Sequence, residues 1–244
     1  MTEKKKKQKV TKSPFSVGGK KYRAVREQLD DNKSYDLSEA AEFVHNNKTG
    51  KFDETVEFVI KLGVNPVHSD QIVRGVVSMP NGTGKQVRVA AFVKDDKVEE
   101  ALKAGADIAG SDSLLEDIKA GVINFDVCIA TPDMMPKISA VAKILGPKGI
   151  MPNPKLGTVT TNVPQAIKQV KAGQVEFRVE KAGIVHTGVG KVSFAPKALV
   201  ENIKTLYDAV VKAKPSGAKG TYVKGAYLCS TMGPSLKINL VSLS

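Results

Sequence analysis

Two short stretches of the sequence combine side chains that could recognise RNA, and the first lies at residues 51–55. Lys51 precedes Phe52, so a cation stands beside a flat apolar ring, and Thr55 follows closely. Exposed aromatic rings of this kind stack on bases or riboses, while lysine neutralises phosphates. The alternative is that Phe52 belongs to the hydrophobic core. Periodicity favours that alternative, because the ring begins an alternating apolar pattern.

The second stretch is Thr231-Met232-Gly233-Pro234, near the end of the sequence. Glycine lets an RNA backbone approach closely, threonine can hydrogen-bond a ribose hydroxyl, and methionine can cover a flat surface. The same residues could equally form a plain connection between two strands, so the sequence leaves both alternatives open. Charge and predicted strand neighbours add three basic residues to this candidate surface: His186, Lys191 and Lys224.

Patterns that would indicate catalysis are incomplete. Residues 82–86 resemble a phosphate-binding loop, but the full pattern needs a glycine where Met79 stands and Ser or Thr where Gln86 stands. Asp126 and Asp133 lie near the end of a predicted parallel strand, yet lone carboxylates are more often caps or surface groups. The histidines are too scattered to indicate a metal site: His45, His68 and His186. We therefore expect no enzyme, no metal and no cofactor.

The composition limits the class of protein further. The 244 residues carry a net charge of +12, which indicates a polyanionic partner, with nucleic acid before an anionic membrane. No apolar run approaches the ~20 residues that span a bilayer, and the N-terminus lacks the apolar core of a secretion signal. Cys128 and Cys229 lie far apart, without the paired spacing of a zinc site. We expect a cytoplasmic protein with buried, reduced thiols and no membrane partner.

Residues 1–13 carry six lysines against a single glutamate and show no apolar periodicity. This composition predicts a disordered basic arm. The arm could serve only as a solubilising tail, or it could condense on RNA phosphates. The sequence favours neither role.

Both ends of the remaining chain have the pattern of half-buried antiparallel strands. Apolar and polar residues alternate from Phe52 to Leu62, and Val73–Met79 predicts a second strand. The alternation returns after Gly173, together with a predicted helix over 196–213 that buries one stripe of apolar residues: Leu199, Ile203, Leu206 and Val210. Two further strands are predicted at 222–229 and 236–241.

The middle of the chain has a different pattern. Four strand–helix units follow one another, with strands predicted at 86–93, 106–109, 125–130 and 158–161. Such repetition predicts a parallel sheet with helices on both faces. A loop at 145–159 interrupts the units, because its glycines and prolines exclude a continuous helix or an interior strand.

These patterns predict a two-domain α/β protein. A discontinuous α+β domain with an antiparallel sheet and helices, residues 14–82 plus 174–244, is interrupted by an inserted three-layer Rossmann-like domain, residues 83–173. Glycines near the two junctions would act as the hinge: Gly82, Gly84 and Gly173. Residues 83–173 hold 12 Lys and Arg against 10 Asp and Glu, whereas residues 174–244 hold 10 against 4. The polyanion should therefore meet the C-terminal half of the discontinuous domain.

Several of these stretches resemble the bacterial form of the large-subunit ribosomal protein L-one family. The resemblance spans nearly everything from Lys20 to the C-terminus and leaves out the lysine arm. The stretches that carry it are Lys51-Phe52-Asp53-Glu54-Thr55, Ser69-Asp70-Gln71, Arg74-Gly75, Gly84-Lys85-Gln86-Val87-Arg88-Val89, the loop 145–159 and Thr231-Met232-Gly233-Pro234-Ser235.

The resemblance implies a non-enzymatic protein that binds large-subunit ribosomal RNA as a monomer within the ribosome. It would form the mobile side stalk that moves as exit-site tRNA leaves, and it would repress translation by binding its own messenger RNA. Carried over residue by residue, the implied RNA contacts are Lys51, Phe52, Thr55, Thr231, Met232 and Gly233, with Pro234 shaping its loop. His186, Lys191 and Lys224 are added from charge and predicted strand neighbours alone.

Overall fold

A computed structural model describes residues 19–30 and 33–243 of the chain. The predicted basic arm, residues 1–13, lies outside this part. The strands of the described residues are β1 Thr55–Leu62, β2 Arg74–Ser78, β3 Val89–Phe92, β4 Ile108–Gly110, β5 Val127–Ala130, β6 Gln174–Arg178, β7 Ile184–Lys191, β8 Val223–Ser230 and β9 Leu236–Ile238. The α-helices are α1 Lys20–Arg26, α2 Leu37–Asn46, α3 Val98–Lys103, α4 Asp112–Lys119, α5 Met135–Ser139, α6 Ala142–Leu145, α7 Val163–Lys171 and α8 Pro196–Lys212.

An antiparallel sheet of four strands, in the order β7-β1-β8-β9, is built from both ends of the chain. The central strand β1 alternates as predicted, with Val56, Phe58 and Ile60 fully buried. Helices α2 and α8 pack over this buried face. Helix α8 confirms the stripe predicted from its period, since its four predicted apolar residues are fully buried: Leu199, Ile203, Leu206 and Val210.

The opposite face of this sheet carries side chains that are exposed or half-buried. We call it the open face, and its residues include Glu57, Val59, Lys61, His186, Tyr227, Cys229 and Lys237. The remaining antiparallel strands, β2 and β6, form a separate two-stranded sheet. Val77 of β2 and Phe177 of β6 nevertheless join the same hydrophobic core as β1 and α8.

The predicted parallel sheet is present in the order β4-β3-β5, with helices on both faces. Strand β3 is buried throughout, as expected of a strand covered on two sides. Ala90 and Phe92 face one apolar cluster, and Val89 and Ala91 face another. A two-domain α/β architecture with a Rossmann-like parallel unit is therefore correct.

The fourth predicted strand, 158–161, is wrong. Only an isolated parallel bridge forms there, between Val159 and Ala130. Gly157 ends the preceding turn in the left-handed region, with φ +70°, and Asn162 already accepts a hydrogen bond from the Gln165 N–H at the start of α7. The turn and the cap leave only residues 158–161, and the neighbouring strand β5 ends at Ala130, so pairing stops at this one bridge.

The two connections between the antiparallel and parallel parts touch each other. Gly82 and Gly173 both adopt the left-handed region, with φ +66° and +100°. A Cβ atom on Gly173 would lie 2.7 Å from the Cα of Gly82, so no larger residue fits. Buried Asn202 of α8 fixes the first connection, because its side-chain amide donates to the carbonyl of Gly82 at 2.9 Å and accepts from the N–H of Asn81 at 3.1 Å.

Within the described residues no helix is both long and apolar enough to cross a membrane.

Candidate RNA-binding site

Glu54 is the residue around which the first candidate stretch is organised. It stands just before β1, in register with the inward-facing Val56 and Phe58, and it is fully buried. One carboxylate oxygen accepts from the Thr49 N–H at 3.0 Å, from the Thr49 hydroxyl at 3.2 Å and from the Gly50 N–H. The other accepts from the N–H of Met232 at 3.1 Å. A single side chain therefore ties the turn at 49–52 to the turn at 231–234.

The hydrogen bonds to Glu54 also set its charge. Burial alone would raise the pKa of its carboxyl group, but hydrogen bonds from Ser230, Gly50, Met232 and Thr49 outweigh burial and lower the pKa below its ordinary value of 4.5. Glu54 is thus ionised at neutral pH. A buried carboxylate with this many donors is satisfied, so it can hold two loops together without an ion-pair partner.

Phe52 points outward, and the core alternative for its ring is wrong. The residue is 53% exposed. Strand β1 begins only at Thr55, and the last buried side chain before the strand is that of Glu54, not Phe52. A Cβ atom on Gly50 would lie 3.1 Å from the Phe52 ring and 2.9 Å from a Glu54 oxygen. The absence of a side chain at Gly50 therefore lets this turn fold tightly beneath an exposed ring. Lys51, next to the ring, is also exposed.

The second candidate stretch forms the connection between β8 and β9, and it is exposed as well. Met232 is 55% exposed at the tip, whereas Pro234 is buried. A Cβ atom on Gly233 would collide with the hydroxyl of Ser230, so a larger residue there would have to displace that hydroxyl. Both alternatives for this stretch are thus compatible, since it joins two strands and also presents an apolar side chain to solvent.

Thr55, Thr231 and Lys191 bring the two stretches into one surface. The hydroxyl of Thr231 accepts from the Thr55 N–H at 3.1 Å, and the backbone N–H of Thr231 donates to the Thr55 carbonyl at 3.1 Å. The ammonium group of Lys191 donates to the Thr55 hydroxyl at 2.8 Å. We call the surface formed by Lys51, Phe52, Thr55, Thr231, Met232 and Gly233 the two-turn site.

The other basic candidates lie at different distances from the two-turn site. His186 stands on the open face opposite Val59, four residues along β1 from Thr55, or roughly 13 Å. Its imidazole lies 3.8 Å from the carboxylate of Glu180. Lys224 lies at the start of β8, the opposite end of that strand from Thr231, so roughly 23 Å separate them. The structure therefore brings Lys191 to the site, keeps His186 on the same sheet, and leaves Lys224 apart.

Sequence reasoning did not assign roles to Glu54, Gly50 and Ser230. The signal for Glu54 was present, since an acid interrupts the apolar side of an otherwise alternating strand. Such an acid must find buried donors or be exposed. Its donors could not be named, because Met232 lies 178 residues away.

The carboxylates considered for catalysis are engaged in surface contacts. Asp126 accepts from the Arg88 N–H at 3.2 Å and lies 3.3 Å from the ammonium group of Lys85. The backbone hydrogen bond and the two cations lower the pKa of Asp126. Asp133 pairs with Lys94 at 2.7 Å, and both side chains are well exposed. Across residues 19–30 and 33–243, no three His, Cys, Asp or Glu side chains are grouped to hold a metal ion.

Comparison with known proteins gives a consistent result. Residues 44–234 match the model of the Ribosomal protein L1p/L10e family. A protein of Rickettsia canadensis is 57% identical over 93% of this chain and 95% of its own length, and one of Rickettsia bellii is 57% identical over 94% and 96%. A protein of Rickettsia akari is 56% identical over 93% and 95%. All three relatives are named large ribosomal subunit protein uL1.

The match covers most of the chain, including both stretches of the two-turn site. It also agrees with the expectation of a non-enzymatic protein, which rested on the incomplete catalytic patterns. The chain therefore belongs to the ribosomal protein L1p/L10e family, whose members are structural proteins of the ribosome and not enzymes.

Proposed function

We propose that this protein is a component of the large ribosomal subunit and binds large-subunit ribosomal RNA through the two-turn site. The observation that carries the proposal is the pairing of two exposed apolar side chains, Phe52 and Met232, on turns that one buried carboxylate holds together. Exposed apolar groups of this size on a rigid support are suited to flat nucleic-acid surfaces. The protein acts as a monomer within the cytoplasmic ribosome.

The chemistry around the two apolar side chains supports RNA as the ligand. Thr55 and Thr231 offer hydroxyl groups beside them, and Lys51 and Lys191 offer cations that neutralise phosphates. Short polar groups that are already oriented read the shape of a folded RNA, including its ribose hydroxyls, better than its sequence. The two-turn site would therefore recognise one folded segment and gain salt-dependent affinity from its lysines.

In finer detail, we propose that the protein and its RNA form the mobile side stalk that moves as exit-site tRNA leaves. Residues 14–82 plus 174–244 would bind the RNA, and the inserted residues 83–173 would give the stalk reach. The touching glycines Gly82 and Gly173, with Gly84 nearby, would serve as the hinge, since the chain passes between the two parts only at these short connections. The free protein would also bind a similar fold in its own messenger RNA and repress translation.

The test is a competition between large-subunit stalk RNA and an unrelated structured RNA of equal length, at fixed moderate salt. Specific nucleic-acid binders prefer their target by about a thousandfold or more. We expect a preference of that order. Equal binding of both RNAs would mean that only the net charge of +12 attracts RNA, and it would overturn the proposal.

A further inference from the structure

We propose that a cleft beside Tyr227 binds one unpaired nucleotide of the RNA that the two-turn site holds. This inference rests on the proposed function and extends its surface along β8 and β9. The cleft has a volume of about 270 Å³. That is just below the ~300–1,000 Å³ of pockets that enclose whole drug-sized molecules, so it suits one base of a longer strand.

Tyr227 lines the cleft, and the edge of its ring leans over Gly225 on the open face. A Cβ atom on Gly225 would lie 3.4 Å from a ring carbon of Tyr227 and 3.5 Å from its hydroxyl oxygen. The ring therefore covers the bare backbone of Gly225, and Tyr227 as a whole is only half-buried. An aromatic ring that rests on a sheet and keeps exposed surface is the platform on which RNA-binding sheets stack bases.

Lysines stand on both sides of this platform. Lys237 lies directly opposite Tyr227 on β9, is exposed, and has no ion-pair partner among the described residues. Across the cleft, the ammonium group of Lys33 lies 4.8 Å from the centre of the Tyr35 ring and 3.5 Å from the carboxylate of Glu39. Arg26 and Asp30 carry opposite charges, and Glu39 offsets Lys33, so Lys237 gives the cleft its net positive charge. A phosphate next to a stacked base would find these cations within reach.

Two hydrogen bonds of Tyr35 hold one wall of the cleft. The backbone N–H of Tyr35 donates to the Lys237 carbonyl at 2.9 Å, and the Tyr35 hydroxyl accepts from the Asp30 N–H at 3.0 Å. Tyr35 is thereby joined both to β9 and to the segment that follows α1. A rigid wall lowers the entropic cost of ordering a nucleotide on binding.

The cleft and the turn that carries Met232 belong to the same hairpin, formed by β8 and β9. Ser235 and Leu236 line it, and they directly follow the turn that carries Met232. Along β8, Tyr227 is four residues from Thr231, or roughly 14 Å. A strand of RNA that leaves Met232 along the hairpin therefore reaches the Tyr227 ring without crossing another element.

The experiment compares Tyr227→Leu with Tyr227→Phe in binding to the stalk RNA. Leucine fills the position on the strand but lacks a flat ring, whereas phenylalanine keeps the ring. Loss of stacking on one base should weaken binding by roughly 5- to 150-fold in Tyr227→Leu. Binding by Tyr227→Phe should stay within twofold of wild type. Equal affinity of both variants and wild type would overturn the proposal, and matching thermal unfolding curves would show that the fold is intact.

RNA variants identify the nucleotide and separate this inference from the proposed function. Each unpaired nucleotide of the RNA is replaced in turn by an abasic one. At one position, Tyr227→Leu should cause no further loss of affinity, because the stacked base is already missing. If the losses from the protein and RNA changes add at every position, the cleft does not bind a base. Lys237→Gln should lower the slope of log affinity against log salt by about 1, whereas the matched Lys204→Gln on α8 should not. If wild type prefers stalk RNA and Met232→Asp abolishes that preference while Tyr227→Leu keeps full affinity, only the cleft is wrong. If wild type shows no preference, both proposals fail.

Discussion

A carboxylate oxygen of Glu54 lies 3.1 Å from the backbone nitrogen of Met232, 178 residues later in the chain. Because the other oxygen binds the turn at 49–52, this contact holds Phe52 and Met232 in one surface. Under the proposed function, Glu54 is a positioning residue: it holds in place the side chains that would contact the RNA.

Glu54→Gln is expected to weaken both the fold and RNA binding. The side-chain amide keeps one acceptor but places an NH₂ group against a backbone donor, so one buried hydrogen bond to a charged group is lost. The free energy of unfolding should fall by about 1.5–3 kcal/mol, measured by urea denaturation. The matched Glu57→Gln, three residues away on the open face, should change it by less than about 0.5 kcal/mol. If both substitutions lower the free energy of unfolding equally, Glu54 does not have the positioning role assigned to it.

The contribution of Glu54 should depend on pH in a defined direction. Its pKa in the folded protein is lowered, so its stabilisation is complete above the ordinary value of 4.5 and is lost as pH falls through the lower, folded-state pKa. The difference in unfolding free energy between wild type and Glu54→Gln should thus be constant near neutral pH and shrink in acid. A difference that grows in acid would contradict the assignment.

Met232→Asp should abolish specific RNA binding while the protein stays folded. The side chain is 55% exposed at the tip of its turn, so a carboxylate costs little in the free protein. Facing phosphates, the same carboxylate is repelled. Val122→Asp is a matched control, because Val122 is 50% exposed in the inserted segment. Wild-type affinity of a folded Met232→Asp protein, measured by filter binding, would show that the two-turn site does not hold the RNA.

Replacing residues 83–173 with a short glycine bridge should leave specific RNA binding largely intact. Gly82 and Gly173 are in contact, so a bridge need not stretch, and the core under β1 and α8 contains no side chain from the removed segment. Circular dichroism would test folding, and competition binding would test specificity. Complete loss of specific binding by a folded deletion protein would assign the RNA to the inserted part.

The sequence predicted those parts of the fold in which one face of an element is buried. The helix over 196–213 was located by its apolar stripe, and β1 by its alternation, because burial on one side imposes those periods. The prediction of a strand at 158–161 was wrong, because a turn before the segment and a helix cap after it limit its length. The apolar pattern does not show that limit. The core alternative for Phe52 was wrong for a related reason, since the alternation extends in sequence beyond the point where the strand begins.

The candidate site was predicted as two separate stretches and not as one surface. Residue types made Phe52, Thr231 and Met232 candidates, but the contact between the stretches depends on hydrogen bonds to Glu54 across most of the chain. Lys224 illustrates the same limit, because assignment to a neighbouring strand did not say at which end of the strand it would lie. Long-range register is therefore the information that the local pattern lacked.

The position of β1 between β7 and β8 has a consequence for a chain that emerges from the ribosome N-terminus first. Both neighbours of β1 follow the entire inserted segment in sequence, so β1 stays without hydrogen-bonding partners on either edge while that segment is being made. An unpaired strand with an apolar face is prone to mispairing during this interval. The parallel unit, by contrast, is continuous in sequence and needs no later residue to complete its sheet. In a growing polypeptide, the surface that carries Phe52 and Met232 is consequently assembled only after the inserted segment and β8 have been made, and a chain that stops before that point never displays it.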